Sequence, residues 1–153
     1  MISRSFTLLM CLFFTWGCNQ IKKKDLIDYV NPIIGSSNKG NTFPGASVPW
    51  GMAYMAPHNT LEKGWTGSQY FYGLNYIYGF GHLHLSGVGC GDFSNINIMP
   101  GAGYFTTDTY KNRSRYDNEI AMPGYYAVDL TDPDIEVALT ASTRSTIGEY
   151  IFS

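Results

Sequence analysis

Histidine, thiol and carboxylate side chains bind metals and move protons, and one short stretch of this chain gathers all three. It reads Gly79-Phe80-Gly81-His82-Leu83-His84-Leu85-Ser86-Gly87-Val88-Gly89-Cys90-Gly91-Asp92 and holds two of the 3 histidines and one of the 3 cysteines. The interleaved glycines let a backbone approach a ligand closely and adopt dihedrals closed to other residues. His82 and His84 stand two apart, so on a strand both face one way. Such convergence, with Cys90 and Asp92 nearby, is one route to a zinc site. Short His-x-His pairs also arise by chance, so a polar but metal-free role stays open beside it. Trp65, between Gly64 and Thr66, has two readings as well: a loop platform for a ligand ring, or a core residue.

The elements that must position these residues are strands and turns. In 125–130, Tyr126, Val128 and Leu130 share a face. In 135–142, Ile135, Val137, Leu139 and Ala141 share one, opposite Glu136, Thr140 and Ser142. This period of two predicts half-buried strands. Between them Thr131-Asp132-Pro133-Asp134 is turn chemistry, because proline presets the dihedral of the second turn position. The pair predicts a hairpin, and residues 146–152 predict a further strand. Residues 48–56 read as another, with Pro49 near its start where a missing N–H does least harm. Only 24–30 reads as a short helix, stopped by Asn31-Pro32. Short strands, spaced turns and no helical period predict an all-β fold, an antiparallel β-sandwich. A chain ending inside a strand is expected to be a fragment of something longer.

The first residues bear on the compartment. Arg4 precedes an apolar run over 6–14, followed by Thr15-Trp16-Gly17-Cys18. A basic start, a run of this length and a small residue before the cleavage point predict a secretory signal peptide over 1–17. The run is too short to span about 30 Å of hydrocarbon. Cysteine directly after the glycine resembles the lipobox of bacterial lipoproteins, so Cys18 is the expected lipidation site and 18–28 a tether. The expected location is that of an exported bacterial lipoprotein, in the outer membrane or periplasm. With Cys11 removed and Cys18 lipidated, Cys90 is left as the sole free thiol, and no intrachain disulfide is expected.

The 153 residues suffice for one domain, placed at 29–153. A net charge of -2 without a basic stripe argues against a nucleic-acid surface. Aromatic content of 16% exceeds charged content of 14%, and 12 tyrosines supply flat apolar rings with a hydroxyl. Such rings suit strand packing first and sugar stacking second.

Four ordered blocks carry a family resemblance. They are Tyr29-Val30-Asn31-Pro32-Ile33-Ile34-Gly35 with Asn41-Thr42-Phe43-Pro44-Gly45-Ala46-Ser47-Val48-Pro49-Trp50-Gly51-Met52; the histidine block with Ile98-Met99-Pro100; Asn118-Glu119-Ile120-Ala121 with Pro123-Gly124-Tyr125-Tyr126; and Leu139-Thr140-Ala141-Ser142-Thr143-Arg144. In these the chain resembles the N-terminal domain of glycoside hydrolase family 92, the exported bacterial calcium-dependent α-mannosidases. The pattern departs from the family at Gln69, Leu83 and Val88. The resemblance implies a β-sandwich packed on a larger helical (α/α) barrel domain. It implies hydrolysis of α-mannosidic bonds in mannose-containing glycans with inversion, and a calcium ion bound mainly by the helical domain. It assigns Trp65, His82, His84 and Asp92 to contacts with sugar or with the domain interface. Asp92 then accepts from sugar hydroxyls, against the plainer role of satisfying backbone N–H groups in its loop.

An inverting glycosidase needs two carboxyls ~6.5–9.5 Å apart, one acid and one base. Glu62, Asp92, Asp117, Glu119, Glu136 and Glu149 single out no such pair, so no catalytic residue is assigned within this chain. Asn118-Glu119 is expected to make a structural salt bridge or hydrogen bond. Three functions follow in order of preference. They are the N-terminal part of an α-mannosidase, inactive alone; a non-catalytic carbohydrate-binding lipoprotein anchored in the membrane; and a zinc protein.

Overall fold

In the computed structural model, which describes residues 24–38, 40–61, 68–82 and 96–153, the alternating segments form strands. They are β1 (Met55–His58), β2 (Tyr76–Ile77), β3 (Gly79–His82), β4 (Asn97–Ile98), β5 (Ser114–Met122), β6 (Tyr125–Leu130), β7 (Ile135–Ala141) and β8 (Thr146–Phe152). Two antiparallel sheets result, one ordered β1-β3-β4 and the other β2-β5-β6-β7-β8. The fold is the expected all-β sandwich, since one apolar core draws on both sheets. Met55 and Phe80 come from the smaller sheet; Tyr126, Val128, Leu130, Ile135, Val137 and Leu139 come from the larger. Phe80 and Tyr150 meet across the layers with ring centroids 6.3 Å apart, a separation at which tilted aromatic pairs attract.

The hairpin of β6 and β7 forms as its alternation predicts, with Tyr126 beside Leu139 and Leu130 beside Ile135. Its turn, 131–134, is fastened to the start of β5. Arg115 donates to Asp132 through Nε at 2.9 Å, Nη2 at 2.7 Å and its backbone N at 2.8 Å. These bonds hold the Asp132 carboxyl below its usual range.

Two readings of the sequence need correction. The strand expected over 48–56 is confined to Met55–His58. The Gly51 N–H donates to the Val48 carbonyl at 3.0 Å, and Trp50 sits at φ 60. The chain therefore turns there instead of extending, and Ala46 takes the pairing with Met55. The short helix shrinks to a single 3-10 turn, Leu26–Tyr29, closed by a capping box between Asp25 and Asp28.

β5, with nine residues, was not evident from alternation, and a β-bulge explains why. Register passes from Asp117 opposite Asp129 to Ile120 opposite Ala127, so Asn118 and Glu119 together face Val128. The extra residue reverses the facing of everything beyond it. Tyr116 and Ala121, an odd number of residues apart, thereby both pack against the core. Asn118 takes the strained position at φ 53 and donates to Asp129 Oδ2 at 2.6 Å. Asparagine tolerates this left-handed region through local hydrogen bonding. Asn118→Val is expected to cost roughly 1–2 kcal/mol, read as a lower urea midpoint at unchanged slope, whereas Asn118→Gly costs less.

Candidate functional site

The bulge turns Glu119 inward, and that defines the most organised polar cluster among the described residues. The Tyr126 hydroxyl donates to Glu119 Oε1 at 2.8 Å. The Tyr70 hydroxyl lies 2.9 and 3.0 Å from the two carboxylate oxygens and donates to the same group. Tyr70 and Tyr126 are buried. Burial first, and the Glu119 charge second, push both phenols well above their ordinary range. They are therefore fixed donors at any physiological pH, and they move no protons. The expectation of a structural hydrogen bond at Glu119 is met.

The same cluster clamps the segment that follows residues 62–67. Asn59 reads the Phe71 backbone from both sides, donating through Nδ2 to the carbonyl at 2.9 Å and accepting from the N–H at 2.7 Å. The Asn59 and Thr60 N–H groups both donate to the Gln69 carbonyl. Ser68 Oγ adds a bond to the Tyr70 carbonyl at 3.0 Å. Two chain segments on either side of 62–67 are thus laced together at their base.

His82 ends β3, opposite Met55 in register, and its N–H donates to the Ile96 carbonyl at 3.0 Å. Its ring is partly buried, and Nδ1 is shut from solvent with no hydrogen-bond partner among the described residues. Upstream of it Gly79, at φ 140, backs directly onto the Asn97 side chain, so any Cβ there would clash. That close approach is what the glycine is for. The remaining histidine, His58, is a buried member of β1.

Of the residues assigned to sugar contacts, the structure places His82 at the rim of the smaller sheet; Trp65, His84 and Asp92 lie outside the described residues, as do Cys90 and Cys18. Among the described residues no group of three or more His, Cys, Asp or Glu side chains could hold a metal. Sequence reasoning gave Glu119 a structural hydrogen bond but not its partners, Tyr70 and Tyr126. Their signal was the pairing of one carboxylate with the tyrosine-rich 70–72 and 125–126 segments, and nothing in local periodicity links them.

The profile of the glycosyl hydrolase family 92 N-terminal domain matches residues 29–153. Among solved structures, a family GH92 α-mannosidase from Bacteroides thetaiotaomicron is 33% identical with a TM-score of 0.79, covering 84% of this chain and 19% of its own. It has also been solved with mannoimidazole bound. A family GH92 inverting mannosidase from the same organism is 28% identical with a TM-score of 0.67, covering 85% and 19%. An uncharacterized secreted glycosidase of Arthroderma benhamiae is 28% identical over 140 residues, which is 84% of this chain and 17% of the relative. The chain thus spans about a fifth of the length of these proteins.

Proposed function

The chain belongs to glycosyl hydrolase family 92 as its N-terminal domain, and we propose that it is the sandwich part of an exported α-mannosidase. The whole enzyme hydrolyses α-mannosidic bonds of mannose-rich glycans with inversion of configuration. The observation that carries this reading is the shared sandwich of the α-mannosidase solved with mannoimidazole. The inverting mannosidase among the neighbours supports the stereochemistry, and the secreted relative supports export. In this reading Cys18 bears a lipid anchor.

Catalysis is assigned to a partner domain, helical by resemblance, that the sandwich completes. Glu119, the carboxylate at the centre of the tyrosine cluster, is occupied by two phenol donors and is spoken for as structure. Calcium belongs to the proposal as a cofactor bound mainly by that partner domain. The part played by this domain is to present polar and aromatic groups from a rigid sheet to the sugar.

The test is enzymatic. The full-length protein is expected to release mannose from an aryl α-mannoside, and the 18–153 chain to release none, with or without calcium. Release by the isolated chain far above a heat-treated control would place the catalytic pair inside it and overturn the assignment. Binding of mannan by the full-length protein with no hydrolysis of any α-mannoside would make it a carbohydrate-binding protein instead.

A further inference from the structure

A surface depression of about 440 Å³ opens where the 72–75 turn meets the start of β5, lined by Tyr72, Leu74, Asn75, Arg115, Tyr116 and Asp117. We propose that this depression is a saccharide subsite that holds one hexopyranose of a mannose-rich glycan, separate from the His82 rim. The proposal rests on the reading of the protein as a mannosidase and adds a second point of contact for the polymer.

Its chemistry matches a sugar ring on both counts. Tyr72 is 54% exposed and Leu74 40% exposed, so an apolar platform faces water. A pyranose presents an apolar C–H face to such a surface, and the flat ring of Tyr72 offers it a stacking partner. Around the platform stand an acceptor carboxylate in Asp117, a guanidinium in Arg115 and an amide in Asn75, all exposed. Sugar hydroxyls are donors and acceptors at once, and a mixed rim answers both.

The site is also built in advance. Arg115 is held by the Asp132 carboxylate through Nε and Nη2. The Tyr116 hydroxyl donates to the Leu74 carbonyl at 2.7 Å, tying the turn to β5. The Tyr72 N–H donates to the Ser36 carbonyl at 2.9 Å. Gly73 at φ 94 makes the sharp reversal between Tyr72 and Leu74. A preformed surface loses little freedom on binding, which matters for a shallow site that buries only one face of its ligand.

The experiment runs the full-length protein through gels containing yeast mannan, alongside turnover of an aryl α-mannoside and thermal melting. Tyr72→Ala is expected to weaken mannan retention about tenfold, and Asp117→Asn several-fold. Aryl mannoside turnover should stay within twofold of the parent, because none of the residues assigned to sugar contacts at the reaction site lines the depression. Retention unchanged in both variants overturns the proposal, as does wild-type protein that mannan fails to retard. So does a loss of retention matched by equal losses of turnover or melting temperature. Wild-type protein that binds mannan through Tyr72 but hydrolyses no α-mannoside counts against the enzyme reading and leaves the subsite standing.

Discussion

Glu119→Ala is expected to destabilise the fold by roughly 2–4 kcal/mol, the largest loss of any single polar substitution in this domain. The carboxylate serves two buried phenols, at 2.8 Å from Tyr126 and 2.9 Å from Tyr70. Its removal strands both donors, and each buried unpaired donor costs about 1–3 kcal/mol. Against a usual total of about 5–15 kcal/mol, that is a large share. For a chain of this size the melting temperature should fall by about 5–15 °C. Glu119→Gln keeps an acceptor oxygen and should cost less. The decisive comparison removes the donors as well. Replacing all partners with apolar groups of similar shape can be nearly neutral. Glu119→Leu combined with Tyr70→Phe and Tyr126→Phe should therefore recover most of the loss. A triple variant as unstable as the sum of its parts would mean that the network matters through packing alone.

The same network sets the response to alkali. Burial and then the Glu119 charge raise the Tyr70 and Tyr126 pKa values in the folded state. The protonated form is thus favoured on folding. Their contribution is complete below the ordinary phenol pKa of about 10 and is lost as pH climbs past it, because the unfolded chain releases those protons first. Unfolding monitored by tyrosinate absorbance should steepen above pH about 10. In the double phenylalanine variant that steepening should shrink by up to two protons.

What was legible in the sequence follows from where period two holds. Tyr126, Val128 and Leu130 against Ile135, Val137 and Leu139 keep strict alternation, and Pro133 lies in the turn joining them. The hairpin and the last strand could be read directly for that reason. β5 was hidden because the bulge at Asn118 reverses the facing midway, so Tyr116 and Ala121 cannot belong to one simple alternation. Residues 48–56 misled for the opposite reason. They are apolar enough for a strand, but Trp50 at φ 60 and the Val48–Gly51 bond fold them into a turn. The histidine block was singled out from residue types, and of it the structure describes Gly79–His82 as a strand. The Glu119 hub depends on contacts 49 and 7 residues apart, and local pattern carries no trace of such pairings.

His82 carries the largest expected effect on activity. Its Nδ1 is shielded from water and unpaired among the described residues, while its own backbone is fixed by pairing with Met55 and by the bond to Ile96. A buried polar atom without a partner costs free energy that evolution retains mostly where a ligand or neighbour repays it. In the proposed mannosidase, a hydroxyl of the bound glycan is such a partner. Truncating it should then cost about 1–3 kcal/mol of binding to the reacting sugar. At a decade per 1.36 kcal/mol this is about one to two decades in kcat/KM of the full-length enzyme. Removing an atom that has no partner among the described residues should leave the melting temperature nearly unchanged or slightly raised. His82→Ala and His82→Asn, measured for both melting and kinetics, separate the alternatives. A drop in melting temperature with the specific activity of the folded fraction preserved would make His82 a core residue. Activity lost in His82→Ala and partly restored in His82→Asn, at constant stability, would mark it as a contact to the sugar.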